Sequence, residues 1–219
     1  MCGIYDAHIR AFGMTPERMQ NTSTADQQLE RETAQYIEER NRGGERDQII
    51  TIPVVFHVIH NNGEENISSA QIHDALFVVN RDFNALNPDL NQVVSAFEDI
   101  VGDVEMEFKL AKKDPDGDCH SGINRIVSSE TYVGGEEVKL MIQWPRNHYL
   151  NIWVCAEAGG AAGYSYYPGS VNSQGDSYLD GIVIQSSYTG SIGTSNNYRS
   201  HVLSHEIGHW LNLRHPWGN

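Results

Sequence analysis

The sequence has no long apolar run and few basic residues, and each shortage excludes a class of partner. No stretch reaches the roughly 18 consecutive apolar residues of a membrane-spanning helix, so we expect no membrane partner. Only 15 Lys and Arg residues stand against 29 Asp and Glu residues, which gives a net charge of −14 at pH 7. That charge argues against nucleic acids and anionic membrane surfaces. The sequence does not indicate an oligomeric state.

Cysteine is also scarce. It occurs three times, at Cys2, Cys119 and Cys155, so at least one thiol has no partner within the chain. A bridge between Cys119 and Cys155 is left open, because the sequence does not tell whether the two are close. The apolar core of a signal peptide is missing as well, since a polar stretch follows Met1. The protein is therefore either cytosolic or carries Met1 in place of a removed signal sequence.

The most informative residues form the motif HEIGHWLNLRH near the end of the sequence. His205 and His209 are four residues apart, so on a helix their side chains leave the same face one turn apart. A catalytic zinc ion takes three protein ligands and keeps one position open for water. Glu206 follows the first histidine, where its carboxylate can reach that water as a general base. The pattern predicts a zinc hydrolase.

The third ligand in this interpretation is His215, which a straight helix would carry too far round to join the other two. The chain must turn back near Leu211–Leu213, and Asn212 tolerates the left-handed conformation that such a turn needs. His201 also falls on the face of His205, four residues earlier. We interpret it as a helix-start residue, because zinc already has three ligands.

Two alternatives to a peptidase remain. The first is a structural zinc site in an interaction module, with Cys2 or His201 as a permanent fourth ligand. Glu206 has no purpose in such a site. The second is a zinc hydrolase that acts on a small molecule, such as an amidase.

Hydrophobic patterning predicts an α+β fold, in which helices pack on one twisted sheet. The predicted strands are Ile49–Ile59, Val104–Ala111, Tyr149–Val154, Gly163–Tyr167 and Gly181–Gln185. The predicted helices are Asp26–Arg42, a helix capped by Ser68 and Gln71 that runs to Leu86, and Tyr198–Leu211. The packing face predicted for the first helix consists of Leu29, Thr33, Tyr36 and Ile37. Residues 1–48 are polar and form a separate segment, and residues 49–219 form the domain.

The segments IPVVFHVIHN, LNIWVC, GYSYYPG, DGIVI and HEIGHWLNLRHPWG resemble the pappalysin family of metzincin proteases, especially its secreted bacterial members. The resemblance runs from about Ile52 to Asn219, with Asn212 in place of the glycine of the general metzincin motif. It implies the N-terminal subdomain of a metzincin: a twisted mixed sheet with an antiparallel edge strand, packed on two long helices, the second of which carries the zinc ligands. The second metzincin subdomain, with its methionine turn, is then expected to be absent, because the sequence ends at Asn219.

The resemblance also implies function. It indicates a secreted zinc endopeptidase acting on proteins or peptides, with arginine preferred beside the cleaved bond. The edge strand would bind an extended peptide, which makes Gly163, Tyr164, Ser165 and Tyr166 candidate substrate-binding residues. Relatives carry disulfides and calcium sites beyond the third histidine, so Ca²⁺ is a further expected ion.

Latency is the last expectation drawn from the resemblance. Some relatives are kept inactive by a cysteine of a pro-segment that binds the zinc ion. On that basis residues 1–48 are a propeptide and Cys2 is a zinc ligand in the latent form, because a thiolate fills the open position. The processing site would lie in Arg42–Arg46.

Overall fold

A computed structural model describes residues 16–42, 49–172 and 175–216. Its helices are α1 (Pro16–Asn41), α2 (Ser69–Phe83), α3 (Glu137–Met141), α4 (Pro168–Val171) and α5 (Val202–Trp210). Its strands are β1 (Ile50–His60), β2 (Met106–Leu110), β3 (Ile123–Val127), β4 (Leu150–Cys155), β5 (Gly163–Tyr164) and β6 (Ile182–Gln185). Short 3₁₀ helices occupy Pro88–Gln92, Ser95–Ile100, Ser129–Tyr132, Ser177–Leu179 and Ser186–Tyr188. The predicted α+β class is confirmed.

The strands form one mixed sheet in the order β2-β1-β4-β6-β5, and β3 also pairs with β1. The long strand β1 pairs in parallel with β2 along its first half and with β3 along its second half. Strand β4 pairs in parallel with β1 and β6, whereas β5 runs antiparallel to β6 at the end of the sheet. The antiparallel edge strand is therefore where the sequence predicts it, although only two of its five predicted residues pair in the sheet.

Both faces of the sheet are buried, as the near-continuous apolar runs of parallel strands predict. Side chains alternate between the two faces along each strand. On β4, for example, Ile152 and Val154 join the core beneath α2 and α5, whereas Trp153 and Cys155 join the opposite core. From the helices, the first core receives Ile72, Leu76, Val79, Phe83, Leu203 and Ile207. The helix that carries the metal-site motif is thus anchored on the central strands.

Helix α2 begins where its capping residue predicts. The Ser68 hydroxyl accepts a hydrogen bond from the Gln71 amide at 3.1 Å. The Gln71 side chain bonds elsewhere than in a capping box: its Oε1, which would accept from the Ser68 amide, accepts from the Thr194 amide at 3.2 Å, and its nitrogen donates to the Ser186 and Thr189 carbonyls at 3.0 and 2.9 Å. Gln71 therefore ties α2 to the segment that leads into α5.

Two predicted helices differ from the observed ones. Helix α1 begins ten residues before its predicted start at Asp26. Its predicted packing face is wrong, because Tyr36 and Ile37 are 54% and 51% exposed and Leu29 is only half-buried. Helix α5 begins at Val202 instead of Tyr198 and has nine residues, so it is not a long helix. Turns hold the four preceding residues, and one of them, Ser200, donates its hydroxyl to the Asn197 carbonyl at 2.9 Å.

The two cysteines in the described ranges are both free thiols, which rules out the bridge left open above. Cys155 lies in the core at the end of β4, where burial raises the pKa of its thiol to about 12, and Cys119 lies on an exposed turn. No helix of the described ranges has the length and apolarity needed to cross a bilayer.

A buried histidine joins three strands of the sheet. His57 on β1 is fully buried, and its Nε2 donates to Oδ1 of Asn151 at 2.9 Å. Its Nδ1 accepts from Nδ2 of Asn124 at 3.2 Å. Burial lowers the pKa of this imidazole to about 4, although the Asn151 bond opposes the shift. His57 is therefore neutral in the folded protein at any pH well above 4.

We expect His57 to make stability depend on pH between about 6.5 and 4. In that window the unfolded chain binds a proton that the folded protein excludes, so stability falls as the pH falls. The full effect is about 3 kcal/mol in the free energy of unfolding. Urea denaturation across this range should show a clearly smaller loss for His57→Gln. The control is the exposed His73→Gln, and an equal loss in His57→Gln and the parent protein would contradict the assignment.

Candidate metal centre

Helix α5 and the turn after it bring three imidazoles to one point. The Nε2 atoms of His205 and His209 lie 3.0 Å apart, and Nε2 of His215 lies 3.1 Å from His209 and 3.2 Å from His205. Nitrogens bound at about 2.0–2.1 Å to one tetrahedral ion stand roughly 3.3 Å apart, so the observed triangle suits a zinc-sized ion. These three histidines are the group of potential ligands that converges within the described ranges.

The turn that returns His215 to the helix is a Schellman motif. The Asn212 amide donates to the His209 carbonyl at 2.9 Å, and the Leu213 amide donates to the Gly208 carbonyl at 2.8 Å. Asn212 has φ of 72°, in the left-handed region that the motif requires at this position. The departure from the general metzincin glycine therefore keeps the backbone geometry.

The protonation of the ligands suits a metal ion. His209 Nδ1 donates to the Leu213 carbonyl at 2.7 Å, which leaves the Nε2 lone pair directed at His205 and His215. Burial and the neighbouring imidazoles lower the pKa of His205 to about 4, and burial also lowers the pKa of His209. Both rings are therefore neutral near pH 7, the form that binds metal.

Glu206 follows His205 on α5 and is fully buried. The Ser165 hydroxyl lies 2.9 Å from the Glu206 backbone carbonyl and 3.3 Å from its carboxylate Oε2, so it can donate to either oxygen. A Cβ added at Gly163 would lie 3.2 Å from Cγ of Glu206. The glycine thus lets the edge strand run directly over the glutamate, and the serine fixes the glutamate from the same segment.

The predicted substrate-binding segment is buried through its side chains. Gly163, Tyr164, Ser165 and Tyr166 are all buried, backbone included, so this state exposes none of them to a peptide. Past β5 the described ranges place no further strand in the sheet. A peptide role for this segment stays a prediction.

Lys139 packs against the side chains of Tyr164 and Tyr166, a contact that the sequence did not predict. Its ammonium lies 5.0 and 4.6 Å from the ring centres of Tyr164 and Tyr166, and it donates to the Leu179 carbonyl at 2.6 Å. Burial lowers the pKa of Lys139, and Glu136 at 3.1 Å partly opposes that shift. A lysine in the middle of a helix normally indicates a solvent-exposed face. The sequence around Lys139 therefore does not indicate that its side chain is buried against the two tyrosines.

Two further predicted residues have different outcomes. Cys2 lies outside the described residues. His201 is the residue before α5, and its Nδ1 lies 2.8 Å from Oδ2 of Asp82 on α2, outside the histidine cluster. The Ser204 hydroxyl donates to the same oxygen at 2.6 Å. His201 thus helps to fix the start of α5 against α2, in agreement with its interpretation as a helix-start residue.

We expect the turn at Asn212 to control metal affinity. Asn212→Val places a β-branched residue in the left-handed region, which costs about 1–2 kcal/mol or shifts the turn. Zinc affinity, measured by competition with a chelator of known affinity, should therefore fall by roughly tenfold. Asn212→Gly is the matched control, because glycine adopts this conformation without strain. Equal zinc affinity in the valine and glycine variants would contradict a role for the turn.

Comparison with known proteins agrees with this geometry. The peptidase M43 family model, described as pregnancy-associated plasma protein-A, matches residues 135–218. A promirolysin mutant from Tannerella forsythia is 31% identical, with a TM-score of 0.80, and the match covers 100% of this chain and 70% of that one. The chain belongs to the pappalysin family of metzincin metalloproteases. The predicted metzincin fold is thereby confirmed.

Two other relatives show how the match is distributed. Mature mirolysin from Tannerella forsythia, solved in complex with a cleaved peptide, is 36% identical with a TM-score of 0.71, covering 80% of this chain and 67% of that one. An extracellular metalloprotease from Colletotrichum graminicola is 27% identical over 175 residues, which is 77% of this chain and 52% of the relative. The chain thus spans about half the length of that relative. Membership of a metalloprotease family implies a metal, and the three histidines are the residues that fit one.

Proposed function

We propose that this protein is a zinc endopeptidase in which His205, His209 and His215 bind the metal and Glu206 is the general base. The observation that carries the proposal is the triangle of Nε2 atoms at 3.0–3.2 Å with a buried carboxylate beside it. Three imidazoles and no fourth protein ligand in the described ranges leave a position for water, as catalytic zinc sites do. A purely structural site would give Glu206 no role.

Bound zinc would act as a Lewis acid on the attacking water and on the scissile carbonyl. Glu206 takes one proton from that water, whose oxygen forms a bond to the carbonyl carbon. The carbon–nitrogen bond then breaks, and Glu206 gives the proton to the leaving nitrogen. Ser165 keeps the carboxylate in place during both transfers. An extended peptide would pair with the edge strand β5, at the end of the described sheet.

Removal of the metal tests this proposal. We expect the protein with zinc to cleave a quenched peptide that contains arginine, and a zinc chelator to abolish cleavage. Restored zinc should return the activity, whereas magnesium should not, because imidazole ligands do not suit it. Cleavage that persists after the zinc content falls to zero would exclude the metal mechanism.

We further propose that the protein is secreted and made as a zymogen, with residues 1–48 as the pro-segment and 49–219 as part of the catalytic domain. Relatives named extracellular metalloproteases support secretion. The promirolysin match covers the whole chain, whereas the mature mirolysin match covers 80% of it, which supports the pro-segment. Binding of Cys2 to the metal in the latent form belongs to the same proposal.

The finer specificity is also proposed here. A net charge of −14 favours basic substrates, which supports the preference for arginine beside the cleaved bond. The peptide is proposed to pair with the backbone from Gly163 to Tyr166. Calcium binding stays a prediction, because the residues that the structure describes contain no group of ligands that we assign to calcium.

A further inference from the structure

Arg214 lies one residue before His215, and its guanidinium is held from two sides. Its Nη2 lies 2.5 Å from Oδ2 of Asp26 on α1. Its guanidinium carbon lies 5.5 Å from the centre of the Tyr167 ring, and that ring packs edge-on against the ligand His209 at 5.6 Å. A guanidinium that rests on an aromatic ring presents its N–H donors in a fixed direction. Arg214 is therefore a preorganised carboxylate receptor at the rim of the metal centre.

The carboxylate that Arg214 binds comes from α1, most of whose described side chains are exposed. Among the side chains of α1 that the structure describes, only Asp26 and Leu29 are partly buried, and the others are exposed. Helix α1 also contacts the short helix α4, which directly follows Tyr167. Among the side chains of α1 that the structure describes, the ion pair of Asp26 with Arg214 is a polar anchor that joins the helix to the metal-centre turn.

The ion pair is suited to exchange with another carboxylate. The Asp26 side chain is only 15% exposed, and its second oxygen, Oδ1, is buried without a hydrogen-bond partner in the described ranges. Arginine binds a carboxylate more strongly when both oxygens accept from it. A carboxylate that approached Arg214 from the cleft and used both oxygens would therefore compete well with Asp26.

We propose that Arg214 is a specificity residue for peptide substrates: it binds an acidic substrate side chain, and Asp26 of α1 occupies the same place in this state. This inference rests on the proposed peptidase function. Tyr167 follows β5 by three residues, a distance of roughly 10 Å in extended chain, so an acidic side chain a few residues from the cleaved bond would reach Arg214. While Asp26 is bound to Arg214, α1 stays beside the metal centre. A substrate carboxylate that binds Arg214 displaces Asp26 and, with it, α1.

The first test measures whether Asp26 occupies the receptor. The full chain with zinc and the Glu206→Gln substitution is studied by hydrogen exchange, with α1 amides as the readout. Asp26→Asn and Arg214→Gln should each speed exchange of α1 by about three- to tenfold, and the double variant by no more than either single one. The control is Glu38→Gln, which breaks the exposed ion pair between Glu38 on the same helix and Arg42 just after it and should change exchange by less than about twofold. Additive effects, or no effect at Arg214, would overturn the occupancy by Asp26.

The second test measures the substrate carboxylate. The probes are labelled short peptides that contain one arginine and either Glu or Gln at one other position, which is moved along both sides of the arginine. Their binding is measured to the zinc-loaded Glu206→Gln protein that also carries Asp26→Asn. At one position the Glu peptide should bind about three- to tenfold more tightly, and Arg214→Gln should remove that difference. In the chain with Asp26, the same Glu peptide should speed exchange of α1 and the Gln peptide should not. A missing difference at every position overturns the role of Arg214.

The binding readout separates this inference from the proposed function. The protein with Glu206 intact is assayed in parallel for cleavage. Cleavage without any acidic preference would refute the carboxylate receptor and leave the peptidase standing. Acid-dependent binding that requires Arg214, without cleavage by the parent protein, would support the receptor and contradict the peptidase.

Discussion

Glu206→Gln should lower the turnover number of peptide cleavage by roughly 10³-fold and leave zinc binding unchanged, because general acid–base catalysis commonly contributes 10²- to 10⁴-fold. Glutamine has the shape of glutamate and can still accept a hydrogen bond from Ser165, but it cannot take a proton from water. The side chain is fully buried beneath Gly163, so a substitute of equal size is needed to keep the edge strand in place. Turnover with a quenched peptide and zinc content by metal analysis are the two measurements.

Two further variants test whether the loss of turnover comes from loss of the base itself. Ser165→Ala should lower turnover less than Glu206→Gln, because it removes a group that positions the carboxylate and leaves the base itself. Glu157→Gln is the control for loss of one negative charge, since Glu157 is exposed and lies before β5. A Glu206→Gln protein that keeps both its zinc and its activity would assign the base to another residue.

The convergence of the three histidines was predictable because it is local. The spacing of His205 and His209 fixes their geometry as soon as the segment is helical, and apolar residues at Leu203 and Ile207 place that helix on the sheet. The left-handed turn at Asn212 was predictable for the same reason, since the third histidine is reachable only if the chain reverses there. One turn of helix and one reversal contain the whole metal triangle.

The groups that surround the triangle were not predictable, because they come from distant segments. Ser165 reaches Glu206 only because β5 crosses above α5, and Asp26 reaches Arg214 across 188 residues of sequence. Strand β3 was not predicted, because its polar and apolar residues alternate only weakly. It is short and pairs only with the second half of β1. Such contacts depend on topology, which the pattern of a single segment does not encode.

His209→Gln should abolish the stabilisation of the protein by zinc. At a free zinc concentration 100 times the dissociation constant, zinc should stabilise the parent protein by about 2.7 kcal/mol. For a chain of this size that corresponds to a rise in melting temperature of roughly 5–10 °C. His209 is the ligand with the most support, since its Nδ1 is bonded to the Leu213 carbonyl and its Nε2 faces both other histidines. Without this imidazole only two ligands remain, which is fewer than zinc sites use.

His201→Gln is the matched control for this experiment. His201 lies one helical turn before His205, yet its imidazole contacts Asp82 and not the other histidines. The substitution should lower the melting temperature of the metal-free protein slightly, through the lost contact with Asp82, and leave the rise caused by zinc intact. Scanning calorimetry with and without zinc measures both quantities in one series. Suppose that the zinc-dependent rise in melting temperature disappears in His201→Gln but survives in His209→Gln. The metal would then be bound one turn closer to the start of α5, by a different set of ligands.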